Sequence, residues 1–467
     1  MKKVVIVGGG IAGLAAAYTL QESKEEIEYT LIEKSSRLGG KIQTKYDDGF
    51  VIEEGPDCVI STKPPVIQLV EKIGLTPRLI GTNDERKGTY IYSGKRLHVL
   101  PEGLMMLVPT KIVPFALSPL ISWPGKFRMA FDLVLPRKKE QEDETLYSFV
   151  VRRLGHEAME KIAEPLIGGI HGGAPETMSL KACFPIFLDM ERNHRSLVKA
   201  MLVGRRKAKK RKPISRQGIP KSHFISLKGG MGELVAALEQ KLEGQVLKGQ
   251  EVTKITSLAN GYRVEVAGGG ELFADGVILA IPAPQASVLL ENIDSQGAKI
   301  LQATPMASSA TISFAYKSRE VPQANSFGAL IPFAEQTKIN AVTFTSVKWN
   351  HRVPNEEYTL IRVFFGGAKK SQYATEPDEQ LLDWAQEELK SILGITAIPE
   401  RHWIQRWIEA RPQYTIGHLE RMQELEERLA KSPGLVVVGG SYRGIGVPDC
   451  VKDGVNGAKE IITYLAK

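Results

Sequence analysis

Residues 4–13 read Val4-Val5-Ile6-Val7-Gly8-Gly9-Gly10-Ile11-Ala12-Gly13, and Glu33 stands twenty residues beyond Gly13. A β-branched run of this kind makes a buried strand. Glycines at positions 8, 10 and 13 then permit a tight turn, a close approach of backbone to phosphate, and close packing of the next helix on the strand. The spacing predicts a helix from Leu14 to about Glu22, its free N–H groups and dipole aimed at an anion. Glu33, ending the second predicted strand, is placed to accept hydrogen bonds from a ribose. A competing reading is a secretory signal, because Lys2 and Lys3 precede the apolar stretch. The glycine register argues against it, and no A-x-A-like cleavage site follows before the Glu-rich segment. The fingerprint therefore predicts a fold that holds a dinucleotide.

At 467 residues the chain is expected to form two or three packed units. Three cysteines, Cys58, Cys183 and Cys450, form no C-x-x-C pair. That sparse, odd set argues against a disulfide framework and for a reducing, cytoplasmic compartment. No apolar run reaches the ~18 residues that a membrane span needs. The formal charge of +8 is local. Arg205, Arg206, Lys207, Lys209, Lys210, Arg211, Lys212, Arg216 and Lys221 supply nine cations without an intervening acid, and without them the balance is −1. Such a tract suits nucleic acid, anionic lipid or an acidic substrate. The alternative is a solvated loop, and no aromatic residue interleaves the cations to stack on bases.

Strand patterns recur at 50–53, 90–100, 253–266, 276–281, 307–317, 358–366 and 435–438, with helical patterns at 232–242, 378–393 and 453–465. Residues 144–203 read as helical. Six prolines between 101 and 136 forbid one long helix in an otherwise apolar stretch and predict short kinked ones. These would pack on the protein, line an apolar channel or touch a membrane surface.

Gly8-x-Gly10-x-x-Gly13, Glu33, Arg37-x-Gly39-Gly40-Lys41 and Gly446-Val447-Pro448-Asp449 together resemble the flavin amine oxidase and protoporphyrinogen oxidase superfamily. Four further stretches resemble its bacterial porphyrinogen oxidases: Gly39 to Thr44, Glu54-Gly55-Pro56-Asp57, Ala163 to Ile170, and Arg411-Pro412-Gln413-Tyr414. Gly439 to Cys450 carries the sharpest likeness, and the resemblance runs from residue 3 to about 465. It is to the soluble Gram-positive type, and it implies an FAD-dependent oxidase that converts coproporphyrinogen III to coproporphyrin III in haem biosynthesis, with dioxygen as acceptor and hydrogen peroxide as product. The implied fold class is α/β (α+β overall). A Rossmann-like FAD domain is assembled from 1–57, 220–295 and 403–467. A mixed-sheet substrate domain takes 58–98 and 296–402, and a helical domain takes 99–219, ending in the basic loop 205–221.

The resemblance also implies a cofactor set. Gly8, Gly9, Gly10, Ile11, Ala12 and Gly13 hold the pyrophosphate, and Glu33 the adenosine ribose. Lys34 and Lys41 lie on the adenosine and phosphate sides, and Val252 gives a backbone contact to adenine. Gly55, Pro56, Asp57 and Cys58 pass the flavin. Trp407, Gly446, Val447 and Pro448 close over it. Plain packing is the alternative for Trp407 and Val447, and solvation for Lys34. On the substrate side the resemblance implies Lys63 for a carboxylate and Ile170 and Phe364 for the cavity wall; a surface lysine and two core residues are the alternatives. His171 is a pocket-wall candidate, no metal is expected, no catalytic side chain is implied, and no covalent flavin link is expected at Cys58 or Cys450. Partners implied are the porphyrinogen, dioxygen and a haem-pathway enzyme such as ferrochelatase, with no nucleic acid and with peripheral membrane contact left open. Competing activities are protoporphyrinogen IX oxidation, amine oxidation, carotenoid desaturation and NAD-dependent dehydrogenation. Against amine oxidation, no paired aromatics flank Tyr442-Arg443-Gly444.

Overall fold

The computed structural model describes residues 1–86, 88–105, 107–138, 142–210 and 218–467. They group into two compact units. One comprises Met1–Thr82, Gln217–Pro305 and Glu420–Lys467; the other comprises Asn83–Arg216 and Met306–Leu419.

The first unit is built on a five-stranded parallel sheet. Its order is Gln245–Lys248, Ile27–Glu33, Lys2–Val7, Gly276–Leu279, Leu435–Val437. Side-chain alternation divides the first strand between two cores. Val4 and Ile6 pack with the helices Ile11–Gln21 and Val447–Leu465, whereas Val5 and Val7 pack with Ala283, Ala286 and Leu301 on the other face. Because both faces are covered, Val4 to Val7, Gly276–Leu279 and Leu435–Val437 read as continuous apolar runs rather than alternating ones. A three-stranded meander over Val252–Leu258, Gly261–Val266 and Gly270–Ala274 closes the second face. Residues 58–82 belong to this unit because Val59–Ile60 and Leu79–Gly81 both pair with Phe224–Leu227.

The second unit contains a seven-stranded sheet in the order Arg401–Pro412, Met306–Lys317, Tyr358–Gly366, Ile339–Phe344, Gly328–Leu330, Tyr90–Ser93, Arg96–Val99. The strand Arg401–Pro412 runs along Met306–Lys317 from Met306↔Pro412 to Ala315↔Arg401, and this long pairing puts residues 403–419 in the second unit. The helix Asp378–Leu393 covers one sheet face through Leu381, Ala385 and Leu389. Its ends are those the pattern predicts, with Asp378 and Glu379 at the positive end of the dipole and Gly394 stopping it in the left-handed region.

Residues 99–210 also fall in the second unit, around a separate apolar core. Short helices at Ile112–Leu117 and Trp123–Ala130 replace the long one that the prolines forbid. A buried ion pair, Arg153–Asp132, ties this region together. The second Asp132 oxygen accepts from Ser196 Oγ at 2.6 Å and Val198 N at 3.0 Å, so the pair is hydrogen-bonded as well as buried. Among the described residues no helix is long and apolar enough to cross a membrane.

Candidate functional site

The glycine turn of the first unit is held from three sides. Gly8 has φ +105°, and a Cβ there would lie 2.6 Å from the Ala280 carbonyl oxygen. A Cβ on Gly13 would lie 2.0 Å from the Gly8 oxygen, so only glycine lets the helix start this close to the strand. Gly10, the N-cap, faces open space. Behind it, Ile11, Ala12 and Gly13 form the buried first turn. The next loop clamps the turn, with Gly39 N donating to Gly9 O at 2.8 Å and Arg37 Nη2 donating to Gly40 O at 2.9 Å.

Glu33 is fixed against this turn. One carboxylate oxygen accepts from Gly9 N at 2.7 Å, and the other accepts from Ser35 N at 2.9 Å and Ser35 Oγ at 2.7 Å. The segment leading to Val252 runs alongside, Gln250 N donating to Glu33 O at 3.0 Å. Val252 is buried. Lys34 is exposed and pairs with Glu251 at 2.8 Å, an arrangement that suits a solvated lysine. Lys41 is exposed too, and its carbonyl abuts Gly55, where a Cβ would lie 1.8 Å away. Glu54 N donates to Gln43 O at 2.9 Å, so the loops 39–43 and 54–58 run together. Within the second loop Asp57 O accepts from Ser226 Oγ at 2.7 Å, and Cys58 Sγ donates to an Asp57 oxygen at 3.2 Å.

The closing helix begins at Val447, six residues earlier than the pattern suggests. Gly446 is its N-cap, and Pro448 sits in the first turn, where its missing N–H costs nothing. This helix lies beside the first one, since a Cβ on Gly454 would be 2.1 Å from Ala12 O. Asp453, buried within it, accepts from Gly439 N at 2.7 Å and from Arg443 Nη1 at 3.2 Å. Burial raises the Asp453 carboxyl, and Arg443 opposes that rise. Burial also pushes the Cys450 thiol up to about 12.

Two glycine-capped helix N-termini, an open position at Gly10 and a carboxylate held at the end of the second strand make a set of donors and acceptors that fits a dinucleotide. Ser35 and Asp453 are parts of this arrangement that the motif reading does not single out, whereas Arg37 belongs to the Arg37-x-Gly39-Gly40-Lys41 motif. The signal of the first two is proximity to the glycines, visible only once the loops are folded back.

Lys63 is not a bare cation. Its Nζ donates to both Asp449 oxygens, at 2.7 and 2.6 Å, and a ligand carboxylate there would compete with Asp449. Phe364 and Trp407 both lie on the seven-stranded sheet of the second unit. Phe364 is cross-strand from Thr311 and Trp407 from Ser309. Neighbouring residues 310, 312 and 314 point into the apolar core, so Phe364 and Trp407 share the opposite face. Ile170 lies in the helix Glu164–His171, and its side chain, like that of His171, is outside the described residues. So are residues 211–217 of the basic tract and the side chains of 205–210. No cluster of metal-ligating side chains occurs among the described residues.

The model of the family "Flavin containing amine oxidoreductase" matches residues 11–462. The chain is 36% identical to the coproporphyrinogen III oxidase of Bacillus subtilis (strain 168), over 99% of this chain and 98% of that protein. It is 31% identical to the protoporphyrinogen oxidase of Homo sapiens, over 99% and 98% of the two chains. A solved structure from Exiguobacterium sp. 255-15 superposes with a TM-score of 0.88 at 32% identity, covering 100% of this chain and 99% of that one.

Proposed function

The chain belongs to the flavin-containing amine oxidoreductase family, and from that premise we propose that it is an FAD-dependent oxidase converting coproporphyrinogen III to coproporphyrin III. The observation that carries the proposal is likeness, over nearly the whole length, to proteins named for that reaction. Substrate oxidation removes six electrons and six protons and consumes three dioxygen molecules, releasing three hydrogen peroxide molecules. Bound flavin supplies the electron sink, which no protein side chain offers.

The protein's own part is binding and orientation. In this reading the N–H groups of the Gly8–Gly13 turn hold the pyrophosphate, and Glu33 accepts from ribose hydroxyls in place of Gly9 N–H. Val252 offers its backbone to adenine, and Lys34 and Lys41 lend positive charge. Gly55 to Cys58 and Gly446 to Pro448 pass the isoalloxazine ring by backbone, with Trp407 as a packing partner. Phe364 and Ile170 exclude water from the ring being oxidised, and Lys63 takes a propionate by exchanging Asp449. No side chain is assigned a proton transfer.

Purified holoprotein, assayed under air with peroxide measured, tests this. It is expected to be yellow, to oxidise coproporphyrinogen III, and to turn over protoporphyrinogen IX several-fold more slowly. A faster rate on protoporphyrinogen IX moves the assignment to that substrate. Oxidation of amines with neither porphyrinogen consumed overturns it.

The segment 112–134 favours a peripheral contact. Ile112, Val113, Leu117, Trp123, Phe127 and Phe131 are all more than half exposed. A cavity lined by Arg137, Arg192, Arg195 and Lys199 lies at the end of that segment, where Arg195 Nη2 donates to Val134 O. Apolar side chains beside clustered cations suit an anionic lipid surface. Cosedimentation with vesicles rich in anionic lipid, and none with neutral ones, is the expected result.

A further inference from the structure

We infer that the ion pair Lys63–Asp449 is a latch that sets how long the chain keeps FAD. The inference deepens the placement of FAD proposed above and rests on it.

The pair joins two segments that lie 386 residues apart in sequence. Lys63 is the N-cap of the helix Pro64–Lys72 and ends the loop that begins at Glu54, its N–H donating to Ile60 O at 3.3 Å. Asp449 lies in the first turn of Val447–Leu465, three residues past the cap Gly446. Two arms lead from the glycine turn to these residues. On one, Gly39 N donates to Gly9 O and Glu54 N to Gln43 O. On the other, Gly454 sits against Ala12 O and ties Val447–Leu465 to the helix Ile11–Gln21. Those links are made by backbone. The link that joins the far ends of the two arms is made by two side chains, and solvent reaches it.

Beneath the pair, Val66 and Val70 share an apolar core with Val451 and Ile461, so the helices themselves stay together. What the pair governs is the rim. Gly444 has φ +146°, and a Cβ there would lie 2.6 Å from Asp449 Cβ; one on Gly446 would lie 2.9 Å from Asp449 Oδ2. The turn 444–446 is thus folded against the Asp449 side chain, and a carboxylate that swings away withdraws support from the turn. Lys63 keeps it in place by donating to both oxygens, at 2.7 and 2.6 Å. The two side chains are 45% and 30% exposed, so the pair is covered enough to hold a geometry and wet enough to open. Gly55 to Cys58 precede Lys63 and Gly446 to Pro448 precede Asp449, and these are the segments read above as passing the isoalloxazine ring. Opening the pair therefore loosens both borders of the ring site. Lys63 and Asp449 act here as positioning residues. A propionate that takes Lys63 also opens the pair, at the moment when the substrate itself comes to cover the ring.

The test is the rate at which FAD leaves the purified holoprotein without substrate, followed by the rise of flavin fluorescence on dilution. Lys63→Met and Asp449→Asn should each speed release by about fivefold, the upper end for a partly exposed pair. The double variant should release FAD no faster than either single one, because each removes the same contact. Lys63→Arg, which can pair with a carboxylate through two N–H groups, should restore the wild-type rate. Raised salt should speed release from wild type and change Lys63→Met much less. The sign for Asp449→Asn separates a latch from plain attraction between Lys63 and the FAD diphosphate, because attraction alone predicts slower release once an anion is removed. Slower or unchanged release from Asp449→Asn overturns the inference, and so do effects that multiply in the double variant. A wild-type rate indifferent to salt overturns it as well, and needs no variant to fold. Failure of the functional reading looks different: the holoprotein then oxidises neither porphyrinogen, whatever its rate of FAD release.

Discussion

Lys370 is a buried lysine whose ammonium donates to two backbone carbonyls, Thr337 O at 2.7 Å and Ile339 O at 3.2 Å. Burial pulls its amine down from 10.5 to about 8; Glu164 and Glu388 work against that shift, and Lys338 and Lys369 reinforce it. Between pH 8 and 10.5 the unfolded chain keeps this proton while the folded chain has lost it. Stability from this group therefore rises with pH across that window. The unfolding free energy of wild type relative to Lys370→Met should climb by about 3 kcal/mol from pH 8 to 10.5. Paired urea titrations at a series of pH values measure it, and a flat difference would show that the ammonium is not buried. The cysteines give a second expectation at this scale. Burial pushes Cys183 and Cys450 up to about 12, so neither holds appreciable thiolate at pH 8. Native protein treated with iodoacetamide should leave both unmodified by mass spectrometry. Acid precipitation should release all flavin to the supernatant, as expected where no thiolate is available to hold it.

Among the elements, the two helices joined at Ala12 and Gly454 carry the most stringent packing. Gly454→Ala puts a methyl 2.1 Å from the Ala12 oxygen, where the opposing atom is backbone and cannot rotate away. Overpacking of this kind costs about 1–3 kcal/mol. The variant should melt several degrees lower and retain less flavin per chain after gel filtration. Gly204→Ala, in the helix Leu197–Lys210, is the control: no described atom lies within 4 Å of its Cβ, so its melting temperature should not fall and its flavin content should be unchanged. The glycine turn, Glu33 and the helix Asp378–Leu393 were readable from sequence because their signals are local: spacing, caps and periodicity. The start of the last helix was not, because Pro448 looks the same as a breaker and as a first-turn residue until Gly446 is seen to cap it. The shared face of Phe364 and Trp407 was out of reach for a different reason. They lie 43 residues apart. Only the register of two strands against Met306–Lys317 brings them to one face. A one-residue slip would turn Phe364 into the core, and nothing in its local sequence states the register.

Across the whole molecule the chain leaves and re-enters each unit, so the boundaries follow strand pairing rather than composition. The partners that move residues 58–82 and 403–419 between units are distant in sequence. Charge, by contrast, is a property the sequence states outright. Nine of the cations behind the +8 balance lie between 205 and 221, and the remainder of the chain is close to neutral. A field from one such tract steers an anion before any contact forms, and its effect falls with ionic strength. Coproporphyrin III carries four carboxylates and is the right probe. Its association rate with the holoprotein, followed by stopped-flow fluorescence, should drop about tenfold between low and moderately high salt. A variant with the nine cations replaced by serine and glutamine should start from the lower rate and show little salt dependence. Its dissociation rate should match that of wild type, because steering acts on encounter and not on the bound state. A wild-type association rate indifferent to salt would leave the tract without a part in capturing substrate.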